Sequence, residues 1–274
     1  DVLPMLLPPE AIAGQVRPGH GGALDALAGV PIVTGCHDTW TAVLGMGALR
    51  LGAAYNIVGT TEVMGLLHDQ PVAADGLLTV DWGRGLYQIG GPSQTGLDTL
   101  HWAECVLREE VADRAAQAGP GDAGPPMFLP FLDGERTPFW DPSLSGAFLG
   151  LRRTHGRTEL VAAVRDGIAL LNRLVLDRAE AATGRRPGRM HLAGSGPAIA
   201  PLAQAKADAL ERPVAMAAPE PGLIGGAMLG HVALGAHASL SDAMAAMVQP
   251  ASILTPDRTG VARLTRLRPI FEDA

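Results

Sequence analysis

The sequence predicts an α/β fold with helices layered on a mainly central sheet. Short apolar segments bounded by glycine or proline alternate along the chain with segments of helical length. The longest of these, Arg157 to Gly184, places Leu160, Val164, Ile168, Leu171, Leu174 and Val175 on one continuous stripe, the mark of a helix packed on a core. With 274 residues, 47% of them hydrophobic, the chain can bury a large interior as one big domain or two modest ones.

In chain order, residues 1–30 read as a loop and a short helix, with Gly19, Gly21 and Gly22 marking the turn. Pro31 to Gly35 is a short apolar strand. Trp40, Val43, Leu44 and Ala48 then recur at helical spacing after Asp38. Ala54–Val58, Glu62–Leu67, Leu77–Val80 and Leu86–Gly90 form a run of short strands joined by tight turns, as in a meander. A helix over Leu97–Leu107, a Gly/Pro-rich linker over Gly119–Pro126 and a strand over Met127–Leu129 follow. Gly134–Leu151 is irregular and polar. Beyond the long helix come a strand at Met190–Ala193, a helix over Ile199–Leu210, a strand at Pro213–Ala215 and a glycine-rich helix over Leu223–Leu234. Leu240–Met247 and Val261–Phe271 are closing helices.

The bulk properties exclude several classes. Glycine (35) and proline (22) are plentiful but follow no fixed period, which removes collagen-like and repeat architectures. The formal net charge is -7 and the densest basic cluster is the short turn Gly184–Arg189, so no phosphate-neutralising surface for nucleic acid is visible. Cys36 and Cys105 stand far apart without CxxC spacing; neither a disulfide framework nor a zinc site is expected, and a reducing cytoplasm fits. No apolar run approaches the roughly 20 residues of a membrane span, and the start of the chain lacks the pattern of a signal peptide. The chain begins at Asp1 without methionine, in the middle of an α/β unit, and reads as a fragment.

Three turns between elements carry candidate chemistry. Gly35-Cys36-His37-Asp38 joins a strand to a helix; Asp38 there is either a helix N-cap or a general base facing a ligand. Val58-Gly59-Thr60-Thr61 joins strand to strand, and is either an ordinary hairpin turn or a place where glycine lets a phosphate reach backbone amides and hydroxyls. Leu192-Ala193-Gly194-Ser195-Gly196-Pro197 lacks the flanking glycines of a nucleophile elbow and the third glycine of a dinucleotide fingerprint. A nucleotide-binding turn or a plain connection remains. The eight histidines show no paired spacing, so no metal-ligating side chains are assigned.

Taken in order, these segments resemble the FGGY carbohydrate kinases. PIVTGCHDTWTAVLGMGALRLG (Pro31–Gly52) is similar to the family's strand, catalytic aspartate and small-residue helix, and YNIVGTTEV (Tyr55–Val63) to its phosphate turn. PFLDGERTPFWDPSLSGAFLGL (Pro130–Leu151) is the most specific match. MHLAGSGPAIAPLAQAKADALERPV (Met190–Val214), followed by GLIGGAMLG (Gly222–Gly230), resembles the adenosine-binding signature and its companion helix.

The resemblance implies an actin-like, ribonuclease-H-like ATPase fold. Residues 1–46 would be the tail of a sugar-binding N-terminal domain, and 47–274 the C-terminal nucleotide-binding domain. It implies Asp38 as catalytic base, Gly59, Thr60 and Thr61 at the ATP phosphates, Gly194, Ser195 and Gly196 at the adenosine, and more loosely Gly91 and Gln94, in GGPSQTG, along the nucleotide. ATP and Mg²⁺ are the implied cofactors, and a sugar hydroxyl, of a pentulose such as xylulose first, the acceptor. A glycerol- or erythritol-type polyol kinase and a non-catalytic nucleotide-binding module are the alternatives; a homodimer is open. His37 and Thr39 depart from the family's usual glycine before and glutamine or asparagine after the aspartate, Thr61 replaces a serine, and Ser195 and Pro197 interrupt the adenosine loop. Without the family's DxGT loop, the isolated chain is expected to be inactive.

Overall fold

The computed structural model describes residues 5–107, 126–194 and 199–274. Its elements are β1 (Ile12–Gln15), a 3-10 turn (Gly22–Leu27), β2 (Pro31–Val33), α1 (Asp38–Gly45), β3 (Ala54–Val58), β4 (Glu62–His68), β5 (Leu78–Asp81), β6 (Tyr87–Ser93) and α2 (Leu97–Val106). They continue with β7 (Met127–Leu129), β8 (Ala147–Leu149), α3 (Arg157–Thr183), β9 (Met190–Gly194), α4 (Ile199–Leu210), β10 (Val214–Met216), α5 (Pro221–Ala233), α6 (Leu240–Met247), β11 (Ser252–Leu254) and α7 (Arg258–Asp273). The expected linker over Gly119–Pro126 falls almost wholly outside the described residues.

Two compact units partition the chain, Asp1–Leu49 with Glu220–Pro250, and Arg50–Pro219 with Ala251–Ala274. Packing thus groups residues 220–250 with the start of the chain, whereas the family resemblance divides it at 46/47.

In the first unit β1 and β2 pair antiparallel, and α1 lies against α5. The two helices touch backbone to backbone: a Cβ on Gly45 would stand 1.8 Å from the Pro221 carbonyl oxygen, and one on Gly225 1.9 Å from that of Thr41. Glycine at positions 45 and 225 is therefore a packing requirement.

In the second unit a seven-stranded sheet runs in the order β11-β10-β9-β3-β4-β6-β5. Strands β10, β9 and β3 are parallel neighbours, and the other pairs are antiparallel. The expected meander is modified: β4 pairs with β6, and β5 lies beyond β6 at the edge. One core cluster joins the sheet to α2, α3 and α4 through Leu66, Ile89, Leu100, Ile168, Leu192 and Leu202. A second joins α3 to β7, α4 and α7 through Met127, Leu170, Leu171, Ala209, Leu264 and Phe271. Helix α3 belongs to both, which is why it is buried around nearly its whole circumference from Ala163 to Asn172, beyond the single stripe in its sequence. Its ends are set locally, by Glu159 accepting from the Gly156 N–H at 2.8 Å and by Gly184 in the left-handed region with φ 67.

Candidate functional site

Sheet register collects the candidate turns at one end of the second unit. Val58 at the end of β3 is the partner of Gly194 at the end of β9, and also of Glu62 at the start of β4; Glu62 in turn faces Ser93 at the end of β6. The turns after β3 and β6 and the last residue of β9 therefore share one edge, the carboxyl end of the parallel strands, where α/β sheets bind ligands. Gly59, Thr60, Thr61, Gln94 and Gly194 are brought together there. Ser195 and Gly196 lie outside the described residues.

The Gly59–Thr61 turn is tied down from within. The Gly59 N–H donates to the Thr61 carbonyl at 2.9 Å, while the first amides of α2, Leu97 and Asp98, donate to the carbonyls of Gly59 and Thr60 at 2.9 and 3.2 Å. Gly96, which caps α2, lies tight on this turn, where a Cβ would come within 2.5 Å of the Thr60 carbonyl oxygen. Gly59 itself is exposed, is absent from the glycines at positive φ, and would place a Cβ no closer than 3.6 Å to its neighbour, Thr61 O. Neither its backbone angle nor its packing against the described residues calls for glycine.

Gly91 has a different character. It is buried in β6, where a Cβ would stand 2.3 Å from Thr137 Oγ1, so packing accounts for it. Gln94 is exposed three residues on and lines a cavity of about 300 Å³ with Asp133, Glu135, Arg136, Trp140 and Pro142. The irregular GERTPFWDP stretch is thus a wall of this cavity. Buried Glu135 holds it in place: its carboxylate accepts from the Gln94 N–H at 2.6 Å, the Arg136 N–H at 2.8 Å and the Ser93 hydroxyl at 3.1 Å. Arg136 donates to the Ser93 carbonyl at 2.6 Å, and the Trp140 indole N–H to the Gly76 carbonyl at 2.8 Å. Nearby, the Ser143 hydroxyl and N–H hold the Asp141 carboxyl below its ordinary range. This segment also contains β8, and β1 and β11 are further strands that sequence periodicity did not reveal.

Asp38 stands in the first unit at the first position of α1, exposed to solvent. The capping residue is His37, whose Nδ1 accepts from the Trp40 N–H at 3.3 Å. Asp38 Oδ1 accepts from the Thr39 N–H at 2.6 Å and the Thr39 hydroxyl at 3.3 Å. The cap role open to Asp38 in the sequence therefore goes to its neighbour, and its carboxylate lies at the positive end of a helix dipole.

Beneath the turns lies a buried polar cluster that sequence reasoning missed. Lys206 of α4 donates to Glu62 Oε1 at 2.6 Å and to Asn56 Oδ1 at 2.5 Å, and Glu62 Oε2 accepts from the side-chain amides of Asn56 and Asn172 at 3.1 and 3.0 Å. All four side chains are buried. The only signal was charge inside two apolar segments, Glu62 in one and Lys206 with Asp208 in the other, and the pair is 144 residues apart in sequence.

Among the described residues no group of three or more His, Cys, Asp or Glu side chains could hold a metal ion. The described residues thus offer no side-chain cage for Mg²⁺, and no step is assigned to it.

The comparisons with known proteins agree on one class. Residues 54–234 match the C-terminal domain of the FGGY family of carbohydrate kinases. A glycerol kinase of Symbiobacterium thermophilum is 32% identical over 224 residues, covering 78% of this chain and 44% of the relative; a xylulose kinase of Klebsiella pneumoniae is 30% identical over 176 residues, covering 61% and 36%. Among solved structures, a xylulose kinase from Rhodospirillum rubrum superposes with a TM-score of 0.79 at 26% identity, covering 97% of this chain and 55% of that one. A gluconate kinase from Lactobacillus acidophilus gives 0.82 at 22% identity, covering 98% and 56%, a likeness of fold. The fold is that of the actin-like ATPases. The chain belongs to the FGGY family of carbohydrate kinases and spans about half the length of the relatives it matches, or less.

Proposed function

We propose that this chain is part of an enzyme that transfers a phosphoryl group from ATP to a hydroxyl of a sugar or polyol. The observation that carries the reading is Gly59, an exposed glycine that nothing among the described residues requires, on a turn at the carboxyl end of β3 beside Gly194. A bare backbone there admits a phosphate, with the Thr60 and Thr61 amides and hydroxyls as donors. Gly194 and the residues after it take the adenosine side, and Gln94 lines the adjoining cavity. Asp38 accepts the proton of the attacking hydroxyl; its exposure and its freedom from capping suit a base that must meet a ligand. In such a transfer, positioning and electrostatic stabilisation supply most of the acceleration.

For the acceptor we favour a pentulose such as xylulose, on the likeness of the GERTPFWDP stretch and of the xylulose kinase relatives; glycerol-type polyols and gluconate are the competing substrates among relatives and structural neighbours. Among the described residues no helix is long and apolar enough to cross a membrane. Cys36 and Cys105 are both exposed and free, which suits the reducing cytoplasm we assign to the protein.

Calorimetric titration of the chain with ATP, followed by phosphoryl-transfer assays of the complete kinase on xylulose, glycerol and gluconate, tests the reading. ATP binding that is lost in Gly59→Val, together with turnover on one of these acceptors, is the expected result. A folded chain with no nucleotide affinity would count against it.

A further inference from the structure

We propose that the buried Glu62–Lys206 pair is a positioning device for the Gly59–Thr61 turn, holding it in the geometry that receives phosphate; the proposal rests on the reading of that turn given above.

Placement is the first ground. Glu62 directly follows Thr61, and its backbone is the register partner of both Val58 and Ser93, so it stands at the root of the turns after β3 and β6. Its side chain points into the core, where both carboxylate oxygens are used. Oε1 meets Lys206 of α4, and Oε2 meets Asn56 of β3 and Asn172 of α3. Helix α4 starts five residues after Gly194, the other glycine of the same sheet edge. One carboxylate thus links the base of the phosphate turn to the three elements packed beneath it.

Energetics is the second ground. Lys206 is 0% exposed and Glu62 1%. Desolvation pulls the Lys206 ammonium below its ordinary value, and Glu62 opposes that pull. Buried ion pairs contribute little net stability compared with apolar side chains of the same volume, and their best-attested use is to fix one geometry among several. The core cluster between the same elements is otherwise apolar, with Met64, Leu192, Leu202 and Ala203 among its members, so apolar side chains at 62 and 206 would match their surroundings. What they would not supply is directional bonding to the residue that ends the turn. Asn56 makes the restraint two-sided, because its oxygen accepts a hydrogen bond from Lys206 while its amide donates to Glu62.

The test compares the wild-type chain with Glu62→Gln, which keeps the shape and removes the charge, and with the double variant Glu62→Leu/Lys206→Met, which replaces the pair by apolar volume. Three quantities are read: melting temperature, amide hydrogen exchange at Gly59, Leu97 and Asp98, and ATP affinity. Those amides report the turn, since their partners are the carbonyls of Thr61, Gly59 and Thr60. In the double variant, exchange at the three amides rises about tenfold while the melting temperature stays within about 5 °C of wild type. ATP affinity falls about tenfold in parallel. If the double variant does not fold, the same amides are measured in Glu62→Gln, where the same local rise is expected. Unchanged exchange there, or a rise spread evenly over the whole chain, overturns the positioning role. A wild-type chain that binds no ATP overturns the functional reading instead, and the exchange pattern still decides whether the pair positions the turn.

Discussion

Val58 and Gly194 face each other as register partners at the carboxyl ends of two parallel strands, with no room for a side chain on the glycine. A Cβ there would lie 2.6 Å from Ile199 Cδ1 and 3.1 Å from the Val58 carbonyl oxygen. The two contacts differ in kind, because the isoleucine tip can rotate away and the carbonyl cannot.

Alanine at position 194 therefore needs Ile199 to move and the Val58 carbonyl to give by a few tenths of an ångström, and should cost about 1 kcal/mol, whereas the two further methyl groups of valine press harder on the β3 backbone and should cost about 2–3 kcal/mol. Urea unfolding of the two variants measures the difference. Equal stability of Gly194→Ala and Gly194→Val would mean that the β3 edge yields as easily as a side chain.

Gly59 and Gly96 separate a ligand's requirement from a packing requirement on the same turn. Gly96→Ala drives a methyl group to 2.5 Å from the Thr60 carbonyl oxygen and should destabilise the chain by roughly 1–3 kcal/mol. Among the described residues Gly59→Ala meets nothing closer than 3.6 Å, so its stability should stay within about 0.5 kcal/mol of wild type. Its ATP affinity should nevertheless fall, by about tenfold, if phosphate packs on that backbone. Calorimetry and thermal melts on the two variants check both halves; a Gly59→Ala chain that binds ATP normally would remove phosphate from the turn.

The contrast shows what the sequence could carry. Elements that bury apolar side chains were legible, as continuous apolar runs in β3 and β7 and as one-sided spacing in α6, and all three fall on their expected boundaries. Strand β1 was not, since Ile12–Gln15 is exposed throughout and so has no alternation to read; β8 and β11 are three residues each and mostly unburied. Gly59 and Gly91 look alike in the sequence, yet one is open and the other is filled by Thr137, a distinction that depends on a residue 46 positions further along the chain. The pair of Glu62 and Lys206 was hidden for the same reason: long-range partners leave no local pattern.

Asp166 provides a prediction that depends on pH. Burial holds its carboxyl above the ordinary value of 3.8, and the attraction of Arg263, paired with it at 2.9 Å, offsets this only in part. The folded state then binds the proton more tightly than the unfolded chain. The resulting contribution is fully present below the unfolded pKa and is lost as pH rises through the raised folded value. Relative to Asp166→Asn, which cannot titrate, the wild type should lose stability as pH rises from about 4 through the raised folded value. Denaturant midpoints of both chains across that range give the comparison. A constant difference, or one that grows with pH, would show that Arg263 dominates.

His37 and Asp38 divide two roles between adjacent residues, and a pair of substitutions tests the division. His37 accepts from the Trp40 N–H, so His37→Ala removes the cap of α1 and should cost about 0.5–2 kcal/mol. Asp38 caps nothing and is exposed; Asp38→Asn keeps its size and its bond from the Thr39 N–H, so the melting temperature should scarcely move. In a preparation that turns over ATP and sugar, the same change removes the proton acceptor and should lower kcat by about 10²–10⁴-fold, with ATP binding nearly intact. A merely structural carboxylate gives the opposite result, a lower melting temperature with turnover preserved. Because the neighbouring histidine already satisfies the helix end, stability and turnover should separate cleanly between these two positions, and measuring both on both variants decides whether Asp38 is a base.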